Sequence, residues 1–215
     1  MNSYKNVSRR SLLLLGGAAA GLAALPSSPA SAQSLPPVPK VKPARSGVLS
    51  ANGWPVETAA DAGGSILTRS IPGTQLRVSF RIGPVEVLFS HLLQRYNAEV
   101  DSLREGDVVG FRPLDGMSAG AQSNHASGTA IDIRPSWYPA GVRGGYSRLD
   151  QDKIHSILAD FKGVVSWGGN ATSVDESHFE ISVGPRDKQF KKVLRMLTEQ
   201  KATLGNAGRE VNKGR

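Results

Sequence analysis

Two short stretches of this chain carry side chains that could hold a metal ion and move a proton. The first, Ser123-Asn124-His125-Ala126-Ser127-Gly128-Thr129-Ala130-Ile131-Asp132, offers an imidazole and a carboxylate across a glycine that lets the chain bend. The second, Asp175-Glu176-Ser177-His178-Phe179-Glu180, sets another imidazole among three carboxylates. Two histidines and an aspartate are nitrogen and oxygen donors of the kind zinc takes in catalytic sites, with a fourth position open for water. The same donors suit other divalent ions. A catalytic zinc brings the pKa of its water down to roughly 7, and a carboxylate within hydrogen-bond reach can then take the proton. Asp175 and Glu176, just ahead of His178, are both candidates for that base. An arginine is also wanted, to hold a substrate carboxylate or polarise a carbonyl. Arg112 is the best placed by order.

The remaining histidines, His91 and His155, fall inside helical patterns with no carboxylate arrangement nearby and read as ordinary helix residues. With no cysteine in the chain, disulfides and thiolate metal sites are excluded, and any ion falls to His, Asp and Glu.

Strands must position these groups. The alternation Ala130, Ile131, Asp132, Ile133 reads as a strand with the isoleucines on one face and Asp132 on the other. Residues 178–183 read as a second strand, in which Phe179 faces the core while Glu180 shares the face of His178 and could orient its imidazole. Around these, 66–71 and 76–82 read as two strands joined at Pro72-Gly73, and Val108 to Arg112 as a short strand ended by Pro113. Pro84 opens a helical pattern through Val85, Leu88, Leu92, Leu93 and Tyr96 to Val100. Further helices are expected over 150–161 and 187–199, a buried strand over 164–167, and loops over 115–123 and 135–148.

The chain has 215 residues, with 26 Lys and Arg against 18 Asp and Glu, a formal charge of +8. Residues 1–32 read as a leader: Ser8-Arg9-Arg10-Ser11-Leu12 is a twin-arginine pattern, followed by an apolar run to Leu25 and the small-residue site Ala30-Ser31-Ala32. Glycines at 16, 17 and 21 interrupt that run, which is shorter than the roughly 20 residues a membrane span needs. Removing the leader with Lys5, Arg9 and Arg10 leaves 23 basic against 18 acidic residues, or +5. That excess suits an anionic surface; aromatics are too few and too scattered for a base-stacking platform, so no nucleic-acid partner is expected. Residues 33–50, with four prolines, read as a linker, 51–200 as the folded domain, and 201–215 as a disordered tail.

Taken together, Arg112-Pro113, S-x-H-x-x-G-x-A-x-D over 123–132, Trp167-Gly168-Gly169 and D-x-x-H-F-E over 175–180 resemble the zinc D-alanyl-D-alanine carboxypeptidases. That superfamily includes VanY-type carboxypeptidases, D-Ala-D-Ala dipeptidases and phage L-alanyl-D-glutamate endopeptidases. The resemblance implies a small α+β domain of the Hedgehog/D-Ala-D-Ala peptidase-like type, with zinc on an antiparallel sheet flanked by helices. It implies His125, Asp132 and His178 as zinc ligands, Asp175 as general base and Arg112 as the substrate-binding arginine. Ser123, Glu180 and Trp167 would support them. The dipeptidase branch has glutamate at the base position where this chain has Asp175, which leaves Glu176 as a fallback. The second departure is Asn170-Ala171-Thr172 after Trp167-Gly168-Gly169, where a second aromatic is absent. The implied function is that of an exported, monomeric metallopeptidase cutting a peptidoglycan stem peptide. The alternative is a wall-peptide-binding module of the same fold.

Overall fold

Residues 66–81 fold as the alternation of their apolar positions dictates. Strands β3 (Ile66–Ser70) and β4 (Arg77–Arg81) pair antiparallel, with Leu67 opposite Phe80 and Arg69 opposite Val78. Val78 and Phe80 turn inward and are buried. The computed structural model describes residues 45–114 and 123–213, with the side chains of 45, 46, 123 and 204–213 left aside. The expected leader, the linker as far as residue 44, the loop over 115–122 and the Ser123 side chain lie outside what is described. Residues 45–49, placed in the linker on their composition, instead form β1 (Arg45–Leu49), which pairs antiparallel with β2 (Pro55–Glu57).

Helix α1 (Pro84–Glu99) starts where proline fits best, at its first turn, and Glu86 accepts a hydrogen bond from the Gly83 N–H at 3.1 Å. Its buried face, Val85, Leu88, Phe89, Leu92, Leu93 and Tyr96, is the centre of the core. Against it lie β4, α3 (Arg148–Ala159) and α4 (Lys188–Lys213). Ser147 caps α3 by accepting from the Asp150 N–H at 3.1 Å. Helix α4 runs on past residue 199 and through 201–213, most of the stretch expected as a disordered tail; its low apolar content does not prevent helix, because Lys, Glu, Arg and Ala there are good helix formers.

The four-stranded sheet carries the chemistry-bearing stretches. Its order is β5 (Val108–Val109), β6 (Ala130–Ile133), β8 (His178–Ile181) and β7 (Val165–Trp167), with every pair antiparallel. Single-turn α2 (Ser123–Ala126) precedes β6, and a 3-10 turn at Gly168–Asn170 follows β7. Strand β5 is shorter than expected, so Arg112 lies beyond its end. Ile131, Phe179 and Trp167 share the inner face of this sheet, and Phe179 and Trp167 stack at 6.3 Å between ring centroids. The described residues thus form a small mixed domain of helices on antiparallel sheet, of the α+β class. Among the described residues no helix is long and apolar enough to cross a membrane.

Candidate metal centre

Register brings the two stretches together. In the β6–β8 ladder Asp132 lies directly opposite His178 and Ala130 opposite Glu180, so Asp132, His178 and Glu180 share the face away from the core. His125 joins them from α2, across a bend that Arg81 shapes. The Arg81 N–H donates to Gly128 O at 2.9 Å and its Nε to Ser127 O at 2.9 Å. Gly128 has φ +67°, and a Cβ there would come within 2.6 Å of the Arg81 nitrogen, so only glycine makes this bend.

Three donor atoms converge. His125 Nε2 lies 3.2 Å from Asp132 Oδ1 and 3.3 Å from His178 Nδ1, and His178 Nδ1 lies 2.9 Å from the same Asp132 oxygen. Donors at about 2.0–2.1 Å from a tetrahedral ion stand roughly 3.3 Å apart, so the triangle has the size zinc requires. All three residues are buried, His125 completely at 0 % exposure. Among the described residues this is the one group of His, Asp and Glu close enough to hold an ion.

The outer partners set which atoms face the centre. His125 Nδ1 donates to Gly110 O at 2.6 Å, which leaves Nε2 inward; His178 Nε2 donates to Glu180 Oε2 at 3.2 Å, which leaves Nδ1 inward. Glu180 is held in turn by Asn124 Nδ2 at 2.6 Å, and Asn124 Oδ1 accepts from the Asn52 N–H at 3.1 Å. The sequence assigns neither asparagine a role. Asn124, between the motif serine and His125, was visible as a polar neighbour; Asn52 is 72 residues distant and gave no cue. Substituting Glu180 with alanine should lower zinc affinity by roughly 10–100-fold, the usual cost of losing an outer partner. Competition against a chromogenic chelator measures it, and an unchanged affinity would remove Glu180 from the site.

Burial pushes the Asp132 carboxyl up, but hydrogen bonds from His125 and His178 outweigh it and hold the group well below the carboxylate range. For His178 burial favours the neutral ring, yet Asp132 and Glu180 overcome it and raise the pKa to about 9. The folded value lies above the unfolded 6.5, so the stability this contact adds to the metal-free protein is complete below about 6.5 and is lost as pH rises through about 9. A metal needs the Nδ1 lone pair and must displace that proton. The rise in Tm on adding zinc should therefore widen from about pH 6.5 to about pH 9. A thermal-shift series would contradict this if the gain were flat or shrank with pH.

Arg112 reaches the site by ion-pairing with Asp132 Oδ2, the oxygen facing away from the donor triangle. Asp175 lies in the turn before β8, where Oδ1 accepts from Ser177 N at 3.1 Å and Ser177 Oγ at 2.6 Å. It lines a cleft of about 430 Å³ together with His178, Glu180, Trp167, Ala140 and Gly141. Gly168 packs against this turn so closely that a Cβ would meet Asp175 O at 2.4 Å, which accounts for the first glycine after Trp167.

Glu176 does something other than serve as a fallback base. It is buried, and its carboxylate accepts from the Gly144 N–H at 2.7 Å, the Gly145 N–H at 2.8 Å and the Tyr146 N–H at 3.4 Å. Its backbone oxygen takes Trp167 Nε1 at 2.7 Å. A carboxylate so engaged clamps the loop before α3 and has no oxygen turned to the cleft. His91 also differs from expectation: packing of α1 on α3 brings Asp160 to 2.7 Å from its Nε2, a carboxylate 69 residues away in sequence. His155 Nε2 meets Asn170 Oδ1 at 3.0 Å.

Comparison with known proteins gives one family. Residues 117–181 match the family model described as D-alanyl-D-alanine carboxypeptidase, a span that includes all three metal-binding candidates, Trp167 and Asp175. No curated protein and no solved structure matches the chain.

Proposed function

We propose that this chain, a peptidase of D-alanyl-D-alanine carboxypeptidase type by its match over 117–181, is an exported zinc enzyme that hydrolyses an amide bond in peptidoglycan stem peptides. The observation that carries the reading is the convergence of His125 Nε2, Asp132 Oδ1 and His178 Nδ1 at zinc-like spacing beside a cleft lined by Asp175. Bound there, zinc supplies Lewis acidity: it lowers the pKa of water to roughly 7 and polarises a carbonyl oxygen. Asp175 takes the proton that the attacking water gives up and delivers it to the leaving nitrogen. The C–N bond breaks after the new C–O bond forms, leaving a carboxylate and an amine. Arg112, held beside the triad by Asp132, offers its positive charge to the substrate carboxylate or to the oxygen on which negative charge develops. The four-stranded antiparallel sheet with helices against it supports assignment to the Hedgehog/D-Ala-D-Ala peptidase-like fold. The twin-arginine pattern supports export, and the basic excess would favour an anionic wall.

The test is to incubate zinc-loaded and chelated protein with defined muropeptides and identify the products by mass. Loss of a terminal residue would make it a carboxypeptidase, and an internal cut an endopeptidase. No zinc-dependent product would overturn hydrolysis and favour a wall-peptide-binding module.

A further inference from the structure

Trp137 lies on the segment between β6 and α3, and 65 % of it is exposed, whereas Trp54 and Trp167 are buried. One face of its ring is nevertheless covered. The Arg134 guanidinium lies over one face, 4.5 Å from the ring centroid. Arg134 is itself buried, ion-paired to Asp101 and Asp107, and its Nη2 donates to Ser102 O at 2.6 Å. Its backbone adopts φ 50°, the left-handed region that non-glycine residues rarely occupy, and its carbonyl accepts the N–H groups of Trp137 at 2.8 Å and Tyr138 at 3.1 Å. Tyr138 is stacked on buried Tyr146 at 3.9 Å. An exposed aromatic has thus been given a rigid support at the cost of backbone strain.

The support leads directly to the cleft. Ala140 and Gly141, three and four residues on, line it beside Asp175, and the Gly141 N–H donates to Val174 O at 2.7 Å, tying the segment to the residue before Asp175. A tryptophan face held in place with its other side in water suits a ring that presents C–H groups, which pack on the electron-rich face by dispersion and by their slight positive charge. We propose that Trp137 is a stacking platform for a pyranose ring of the glycan to which the substrate peptide is attached. The proposal rests on the stem-peptide reading above, because only then does a sugar accompany the peptide in the cleft.

The experiment compares a disaccharide-linked muropeptide with the same peptide lacking sugar. In Trp137→Ala the ratio of KM for the sugar-linked to the free peptide should rise roughly three- to tenfold, and Trp137→Phe should recover most of it. An unchanged ratio would overturn the platform. Trp emission gives a readout independent of cleavage: in zinc-loaded wild type the sugar-linked compound should shift or quench it beyond the change the free peptide causes through Trp167 in the cleft wall, and in Trp137→Phe the two compounds should act alike. If wild type cuts neither compound yet its emission still distinguishes them, hydrolysis fails and the platform stands. If it cuts both while emission and the KM ratio are indifferent to Trp137, the platform fails and hydrolysis stands.

Discussion

Replacing Asp175 with alanine should leave zinc bound one to one and lower the cleavage rate by roughly a hundred- to ten-thousandfold, the range a positioned general base contributes. Retention follows from geometry. The Asp175 carboxylate is not one of the three donors; its Oδ1 is held by Ser177, its backbone oxygen accepts from the His178 N–H at 3.1 Å, and it belongs to the cleft wall. Loss of rate follows because the other carboxylates nearby are already committed. Glu180 is shared between His178 and Asn124, and Glu176 between three backbone N–H groups. None could take over the proton without giving up the contacts that shape the site. Single-turnover cleavage and metal content measured on the same preparation check both halves. Cleavage at the wild-type rate would remove Asp175 from the mechanism.

His125→Ala should behave in the opposite way, losing the metal first and activity in consequence. The imidazole supplies one of three donors and has no exposed surface. Alanine leaves Asp132 and His178 facing an empty space, and two donors from opposing strands do not close a zinc site. The loss in zinc affinity should exceed the roughly 10–100-fold expected when only an outer partner is removed. The fold should survive, since His125 sits on a single turn while the core is built on α1 and the inner sheet face. Circular dichroism beside metal analysis checks this, and a variant that folds and still binds zinc with wild-type affinity would dismiss His125 as a ligand.

Where local pattern and tertiary environment agree, the sequence was legible. Ala130–Ile133 alternates, and its strand buries Ile131 and Ile133 as the pattern requires; Phe179 points inward while His178 and Glu180 share the other face. Helix α1 has its proline at the first turn and its apolar spacing throughout. What remained hidden depends on partners distant in the chain. The pairing of Asp132 with His178 is a register, and no local spacing states a register. Glu176 looked equivalent to Asp175 because neighbouring carboxylates look alike until one is seen buried among the amides of Gly144, Gly145 and Tyr146. The same holds for His91, whose partner Asp160 arrives only when α1 meets α3. Strand β1 was obscured by the prolines upstream of it, whose composition was carried forward over residues 45–49.

The most direct test of the central claim is a crystal soaked in zinc and measured across the zinc absorption edge. An anomalous peak should appear among His125 Nε2, Asp132 Oδ1 and His178 Nδ1, at about 2.0–2.2 Å from each, with one coordination position turned toward the cleft that Asp175 lines. A peak bound elsewhere, or none at that triangle in a crystal saturated with zinc, would contradict it.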